Sequence, residues 1–217
     1  MSPVELARRT TAGTGVPVVL LHGLGDTAST WAPFTELLDR PTVAFDLRGH
    51  GASPRCDEYT VDAMVADVLA ALDDAPVDLV GHSMGGHVAS HVALRAPGLV
   101  RRLFLEESPV PPRSGPPQPD RNPPERPPEP IDFDWAVVGP MRRGLRAPNP
   151  LWWQGIERLV TPTLWLSGGA ESHIEPSRMA AAAVAMPNAT MRVIPVGHSI
   201  HRDALESFVD AAVPFLA

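Results

Sequence analysis

Six short apolar runs constrain this chain more than any other feature, each closing in a cluster of glycines and polar residues. They are VPVVLLHG (16–23), PTVAFD (41–46), VDLVGH (77–82), LVRRLFLEE (99–107), TPTLWLSGG (161–169) and ATMRVIPVG (189–197). Continuous apolar residues that end in such turns read as buried strands. Helix-spaced patterns lie between them: ASTWAPFTELLD (28–39), where Ser29 and Thr30 can cap, VDAMVADVLAALDD (61–74), and the stretch that follows residue 83 to about Ala96. An alanine-rich run after Pro176 and a closing RDALESFVDAAVPFL complete the set. Strands that alternate with helices predict an α/β fold with a mostly parallel sheet and helices on both faces. The length suits a single domain over 1–217, and no internal repeat competes with that reading.

Composition removes several functions. All 18 basic residues are arginine, so Schiff-base chemistry, a covalently held pyridoxal and a P-loop lysine are excluded. The Gly-rich element near the start, HGLGDT, is not GxGxxG, so the dinucleotide fingerprint is missing and no cofactor is expected. A net charge of −7 without a basic cluster speaks against a nucleic-acid partner. No apolar run approaches the roughly 18–20 residues of a membrane span, so no membrane partner is expected. One cysteine, Cys56, excludes an internal disulfide, and MSPVELARRTTAGTG lacks the apolar segment of a secretory signal. Cytoplasmic localisation is the resulting expectation; oligomeric state is not legible.

One segment breaks the alternation. Between Pro109 and Pro130, 11 of 22 residues are proline, which suits a linker, but the following FDWAVVGPMRRGLRAPNPLWW carries aromatic and apolar residues suited to packing. Residues 109–153 therefore read as an insertion that caps one end of the sheet.

Ligands of open α/β sheets bind beyond the carboxyl ends of the strands. Every polar cluster falls at such an end: HGLGD, DLRGHGAS, GHSMGG, EES, GGAESH and GHSIH. Within GHSMG, Ser83 lies between a predicted strand and a predicted helix, as G-x-S-x-G requires for a strained turn that exposes a nucleophile. A capping serine would satisfy the pentapeptide but not that context. The backbone N–H of Met84, at the helix start, would face an oxyanion.

HGLG, DLRGHGAS, GHSMGG and GHSIHRDALESFVDAAVPFL, in that order, resemble the α/β-hydrolase family from about residue 16 to the C-terminus. The resemblance implies that Ser83 is the nucleophile, His198 the base and Leu24 the second oxyanion donor, with His22 buttressing the oxyanion turn. His82 reads as structural beside the elbow, and His201 as part of the last helix. His87 and His91 share one helix face, but without a third ligand no metal is expected. Asp46 and Arg48 read as structural. Trp31, Trp135 and Trp152 are candidate substrate contacts, although aromatic residues more often pack.

The acid is less direct. The family's usual position, three residues after Gly169, is Ser172, which cannot carry charge. Some relatives take their acid from the fourth strand instead, and aligning LFLEESP to them favours Glu106, with Glu107 second and Glu171 third. The expected activity is cleavage of an ester, thioester or lactone through an acyl-serine, on a small-molecule acyl substrate. Carbon–carbon hydrolysis or cofactor-free perhydrolysis with the same residues is the near alternative, and a non-catalytic ligand receptor on the same fold is the distant one.

Overall fold

Alternation of side chains along buried strands builds a core on each face of one sheet. The computed structural model describes residues 2–73, 75–117, 119–120, 124–126 and 129–217. Among them, the strands are β1 Arg8–Thr11, β2 Val18–Leu21, β3 Thr42–Phe45, β4 Val77–His82, β5 Val100–Glu106, β6 Thr163–Ser167 and β7 Ala189–Val193. Their order across the sheet is β1-β3-β2-β4-β5-β6-β7. β2 through β7 pair in parallel, and β1 lies antiparallel on the edge against β3. The pattern does not predict β1, because its four residues, RRTT, are polar and exposed. An edge strand needs no apolar run.

The helices are α1 Ala32–Thr35, α2 Val61–Ala71, α3 Met84–Arg95, α4 Val138–Arg146, α5 Pro150–Ile156, α6 Pro176–Ala185, α7 Ile200–Asp203 and α8 Leu205–Leu216. Val19, Leu21, Leu79, Leu103 and Leu105 face α2, α3, α5 and α6, packing with Met64, Val88, Trp152 and Met179. The alternate residues Val18, Leu20, Val80, Phe104 and Leu166 face the opposite side, with Phe34 of α1 and Phe208 of α8. Two expected helices are broken. The 28–39 segment is a 3-10 turn, Ala28–Trp31, capped by Thr27 rather than Ser29 or Thr30, followed by α1. The closing helix splits at Ala204 (φ −144°, ψ 56°) into α7 and α8, which turns His201 inward.

The segment between β5 and β6 divides into parts with different work. Pro111 and Pro112 are strapped to α5: their carbonyls accept from Trp153 Nε1 and the Asn149 N–H, each at 2.9 Å. Arg113 lies 4.1 Å over the Trp153 ring. α5 packs on α3, where Trp152 Nε1 donates to Ser90 Oγ at 2.9 Å. Asp132–Asp134 join the loop after β3 through paired backbone bonds of 2.6 Å to Gly51 and Gly49. Pro109, Val110 and α4 reach the cleft at the strand ends. Positions 118, 121–123 and 127–128 of the proline-rich stretch lie outside the described residues.

Candidate active site

The turn from β4 into α3 is built on close backbone approach. A Cβ at Gly81 would stand 2.6 Å from the Gly85 carbonyl oxygen, and one at Gly85 would stand 2.4 Å from that of Leu21. With both positions bare, Ser83 adopts φ 52° and ψ −120° at the tip. Among the described non-glycine residues only Ser83 and Glu107 have positive φ. Such strain costs on the order of 1–3 kcal/mol and persists only where the surroundings enforce it.

The two strained residues are joined through one histidine. His198, in the loop after β7, has Nε2 3.0 Å from Ser83 Oγ and Nδ1 3.2 Å from Glu107 Oε2. With Nδ1–H donating to the carboxylate, Nε2 is left to accept the serine proton. Glu107 is fully buried and accepts from the Gly168 N–H at 2.5 Å and from the Ser172 hydroxyl. Ser172 in turn accepts from the Ile174 N–H at 3.0 Å. The position from which family members usually supply the acid therefore holds a hydroxyl that donates to the carboxylate of the neighbouring strand.

The expectation that Glu106 meets His198 is corrected: that contact belongs to Glu107. Glu106 is the last residue of β5 and keeps its alternation with Phe104, so it points to the face covered by α7 and α8. There its carboxylate accepts from the His201 backbone N–H at 2.8 Å and from His201 Nδ1 at 2.8 and 3.0 Å. His201 Nε2 is 2.8 Å from Thr30 Oγ1. Burial alone would raise the Glu106 carboxyl pKa, but His82, His201 and the bonds from His201 outweigh it and hold it below the ordinary value. Glu171, the third candidate, ends a 3-10 turn and is exposed.

His82 donates from Nε2 to the His198 carbonyl at 2.9 Å, which fixes the backbone of the histidine facing Ser83. Burial lowers its pKa to about 4, so it is neutral. His82, Glu106 and His201 bring ligand-type atoms within 4.8 Å of one another, the one such group among the described residues. Glu106 and His201 already bond each other, and His82 Nδ1 faces Gly23, whose Cβ would lie 2.8 Å away. The group reads as a buried hydrogen-bonded cluster rather than a metal centre. His87 and His91 pack ring to ring at 4.8 Å, and His87 Nδ1 bonds the Pro109 carbonyl.

His22 pins the loop after β2: Nδ1 donates to the Gly23 carbonyl at 2.8 Å and Nε2 accepts from the Leu47 N–H at 2.9 Å. His50 Nε2 accepts from the Gly25 N–H at 3.2 Å, with Phe133 stacked on its ring at 5.5 Å. Asp46 and Arg48 are buried in comparable ties, to the Ala28 and Ala52 N–H groups and to Asp67.

Leu24, Ser83, Met84 and His198 all border one cleft of about 400 Å³. Trp31, Trp135 and Trp152 do not border it. Trp31 is sealed on the opposite face of the sheet, 4.5 Å from the His201 ring, because it ends the 3-10 turn packed against Phe208 of α8. Trp152 is committed to α3, and Trp135 packs on Phe133 at 5.9 Å. Residues that the sequence reading did not single out stand there instead, Arg142 and Arg146 of α4 and Arg178 of α6, together with His173, a competing histidine whose ring centroid is 4.1 Å from that of His198. The sequence signal for Arg142 and Arg146 is the basic run MRRGLR within an otherwise acidic chain, and His173 ends the polar cluster GGAESH.

A profile of the alpha/beta hydrolase family matches residues 18–211. The chain is similar to an sn-1-specific diacylglycerol lipase of Mus musculus, 27% identical over 248 aligned positions that cover 92% of this chain and 80% of that protein. It is 45% identical over 97 residues to a pimeloyl-[acyl-carrier protein] methyl ester esterase of Chromobacterium violaceum, covering 44% of this chain and 38% of that one. Several curated relatives match over only 29–38% of their own length. Among solved structures, a hydrolase from Pseudomonas aeruginosa superposes with a TM-score of 0.82 at 22% identity, covering 98% of this chain and 94% of that one.

Proposed function

Because the chain belongs to the alpha/beta hydrolase family, we propose that it is a serine hydrolase that cleaves a carboxylic ester, thioester or lactone through an acyl-serine intermediate. The observation that carries this reading is the continuous line Ser83 Oγ–His198 Nε2, 3.0 Å, and His198 Nδ1–Glu107 Oε2, 3.2 Å, opening on a cleft. A serine hydroxyl attacks an acyl carbon only as a base removes its proton. His198 takes that proton on Nε2 while Glu107 holds the tautomer and stabilises the imidazolium. The N–H groups of Leu24 and Met84 are the proposed donors to the oxyanion. His198 then protonates the leaving oxygen or sulfur, a water delivers its proton to His198 as it attacks the acyl-serine, and Ser83 recovers its own.

The similarity to an esterase and a lipase favours ester chemistry. A cleft of about 400 Å³ stands at the lower end of ligand pockets and suits a modest acyl group. The single cysteine fits a reducing compartment, and the reading places the enzyme in the cytoplasm.

A fluorophosphonate should label Ser83, and a short-chain nitrophenyl ester should give a burst of nitrophenol. Ser83→Ala should lower kcat by on the order of 10⁴-fold or more with the fold kept. Folded wild-type protein that neither labels nor bursts would make the chain a ligand receptor instead.

A further inference from the structure

Acyl transfer needs no positive charge at the mouth of the cleft, yet Arg142, Arg146 and Arg178 all border it. The charge is local, since the whole chain carries −7 and α4, VGPMRRGLR, contains no acidic residue. Among the described residues, two carboxylates pair with the three guanidinium groups. Asp120 takes a bidentate pair of 2.6 Å bonds from Arg142 and lies 3.4 Å from Arg146, while Glu175 is 2.8 Å from Arg178.

Arg146 is the centre of this rim. Its side chain is 31% exposed, Nη1 donates to the Arg142 carbonyl at 3.2 Å, and its approach to Asp120 is longer than a charge-assisted hydrogen bond. The field of the rim reaches the reacting end of the cleft. The pKa of His173, whose ring lies against that of His198, is held down first by desolvation and by His198; Glu107 opposes the shift, and Arg142 and Arg146 add to it. Apolar Val110, Leu145 and Ile174 share the same walls, which suits a few methylenes between two polar ends.

We propose that the arginine rim is an anion-binding subsite, so that the substrate carries a carboxylate or phosphate a few bonds beyond its scissile acyl group. The proposal rests on the acyl-transfer reading above. A planar guanidinium matches either anion with two parallel N–H bonds, and partial exposure keeps the desolvation of the pair small.

The test compares kcat/KM for p-nitrophenyl esters of equal chain length: the neutral pentanoate, the glutarate monoester and the 4-phosphonobutanoate. At least one anionic ester should be preferred by about tenfold, with the preference shrinking as salt rises. The better of the two identifies the anion. Arg146→Gln should bring the ratio of anionic to neutral toward one. Arg143→Gln, which removes an equal charge from the exposed side of α4, should leave the ratio intact. Matched denaturation midpoints would exclude misfolding. Calorimetric titration with glutarate and with inorganic phosphate gives a readout independent of turnover: affinity for one of them should fall about tenfold in Arg146→Gln. If no ester turns over and Ser83 does not label, acyl transfer fails while the titration still decides the subsite. The subsite is overturned if the neutral ester equals or exceeds both anionic ones and neither anion binds wild type more tightly than Arg146→Gln.

Discussion

Glu106 and Glu107 are consecutive, fully buried, and each holds a histidine through Nδ1, at 2.8 Å for His201 and 3.2 Å for His198. Their surroundings differ. His201 is sealed beneath Trp31, and its far nitrogen meets Thr30 in a 3-10 turn that lacks the positive φ of Ser83. The His198 side chain is 24% exposed, and its far nitrogen meets a serine strained outward into a cleft. The same acid–imidazole unit serves as an internal brace in one place and as the proposed catalytic pair in the other. What distinguishes them is the group on the far nitrogen and its access to a ligand.

Exchanging each carboxylate for its amide should separate the two pairs by the largest margin. Glu107→Gln presents an amide N–H to His198, reversing the tautomer, and kcat should fall by on the order of 10⁴-fold with a smaller effect on stability. Glu106→Gln should do the opposite. Leaving a fully buried, hydrogen-bonded imidazole without its carboxylate partner costs about 1–3 kcal/mol of folding stability, while kcat stays within about tenfold. Steady-state kinetics and urea unfolding on both variants settle the matter; the reverse pattern would dissolve the comparison.

The buried imidazoles should also respond to acid through stability. Burial holds His22 and His87 at about 3 and His50, His82 and His91 at about 4. In the unfolded chain these groups take up protons near pH 6.5, whereas the native state refuses them until pH 4 or below. The unfolded state therefore binds more protons as pH falls from about 6.5 to 4, and each histidine removes up to about 1.4 kcal/mol of stability per pH unit. Glu106, with its pKa held low in the fold, adds a loss of the same sign at still lower pH. Urea unfolding at pH 7.5 and pH 5 should differ by several kcal/mol, and His82→Asn should shrink the difference. A flat profile would mean that these rings are not neutral and sealed.

The smallest expected effect concerns the open pair alone. Ser172→Ala removes one donor from Glu107 and should lower kcat about tenfold, with KM unchanged and the pH–rate profile displaced. A purely structural serine would change the unfolding midpoint and leave the pH profile in place.

The alternation of strands and helices and the elbow at Ser83 were legible because each rests on a local pattern of a few residues, whereas the histidine after the last strand came from the family resemblance. β1 was not, since an exposed RRTT edge carries no apolar period. Trp31 was read as a possible pocket wall because residue type is visible in sequence and the face of the sheet it packs on is not.

Sequence alone determined the fold class and brought the choice of acid down to two adjacent glutamates and a third farther on. Tertiary structure alone set which of them meets His198, because the outcome depends on a single residue of strand length. β5 ends at Glu106, which keeps the strand's alternation and turns toward α7, while Glu107 leaves the strand at φ 47° and turns toward His198. The arginine rim is likewise a tertiary product: Arg142 and Arg146 meet Arg178 only because α4 and α6 border the same end of the sheet. Local periodicity reports which residues are buried, but not which distant side chains a chain reversal brings face to face.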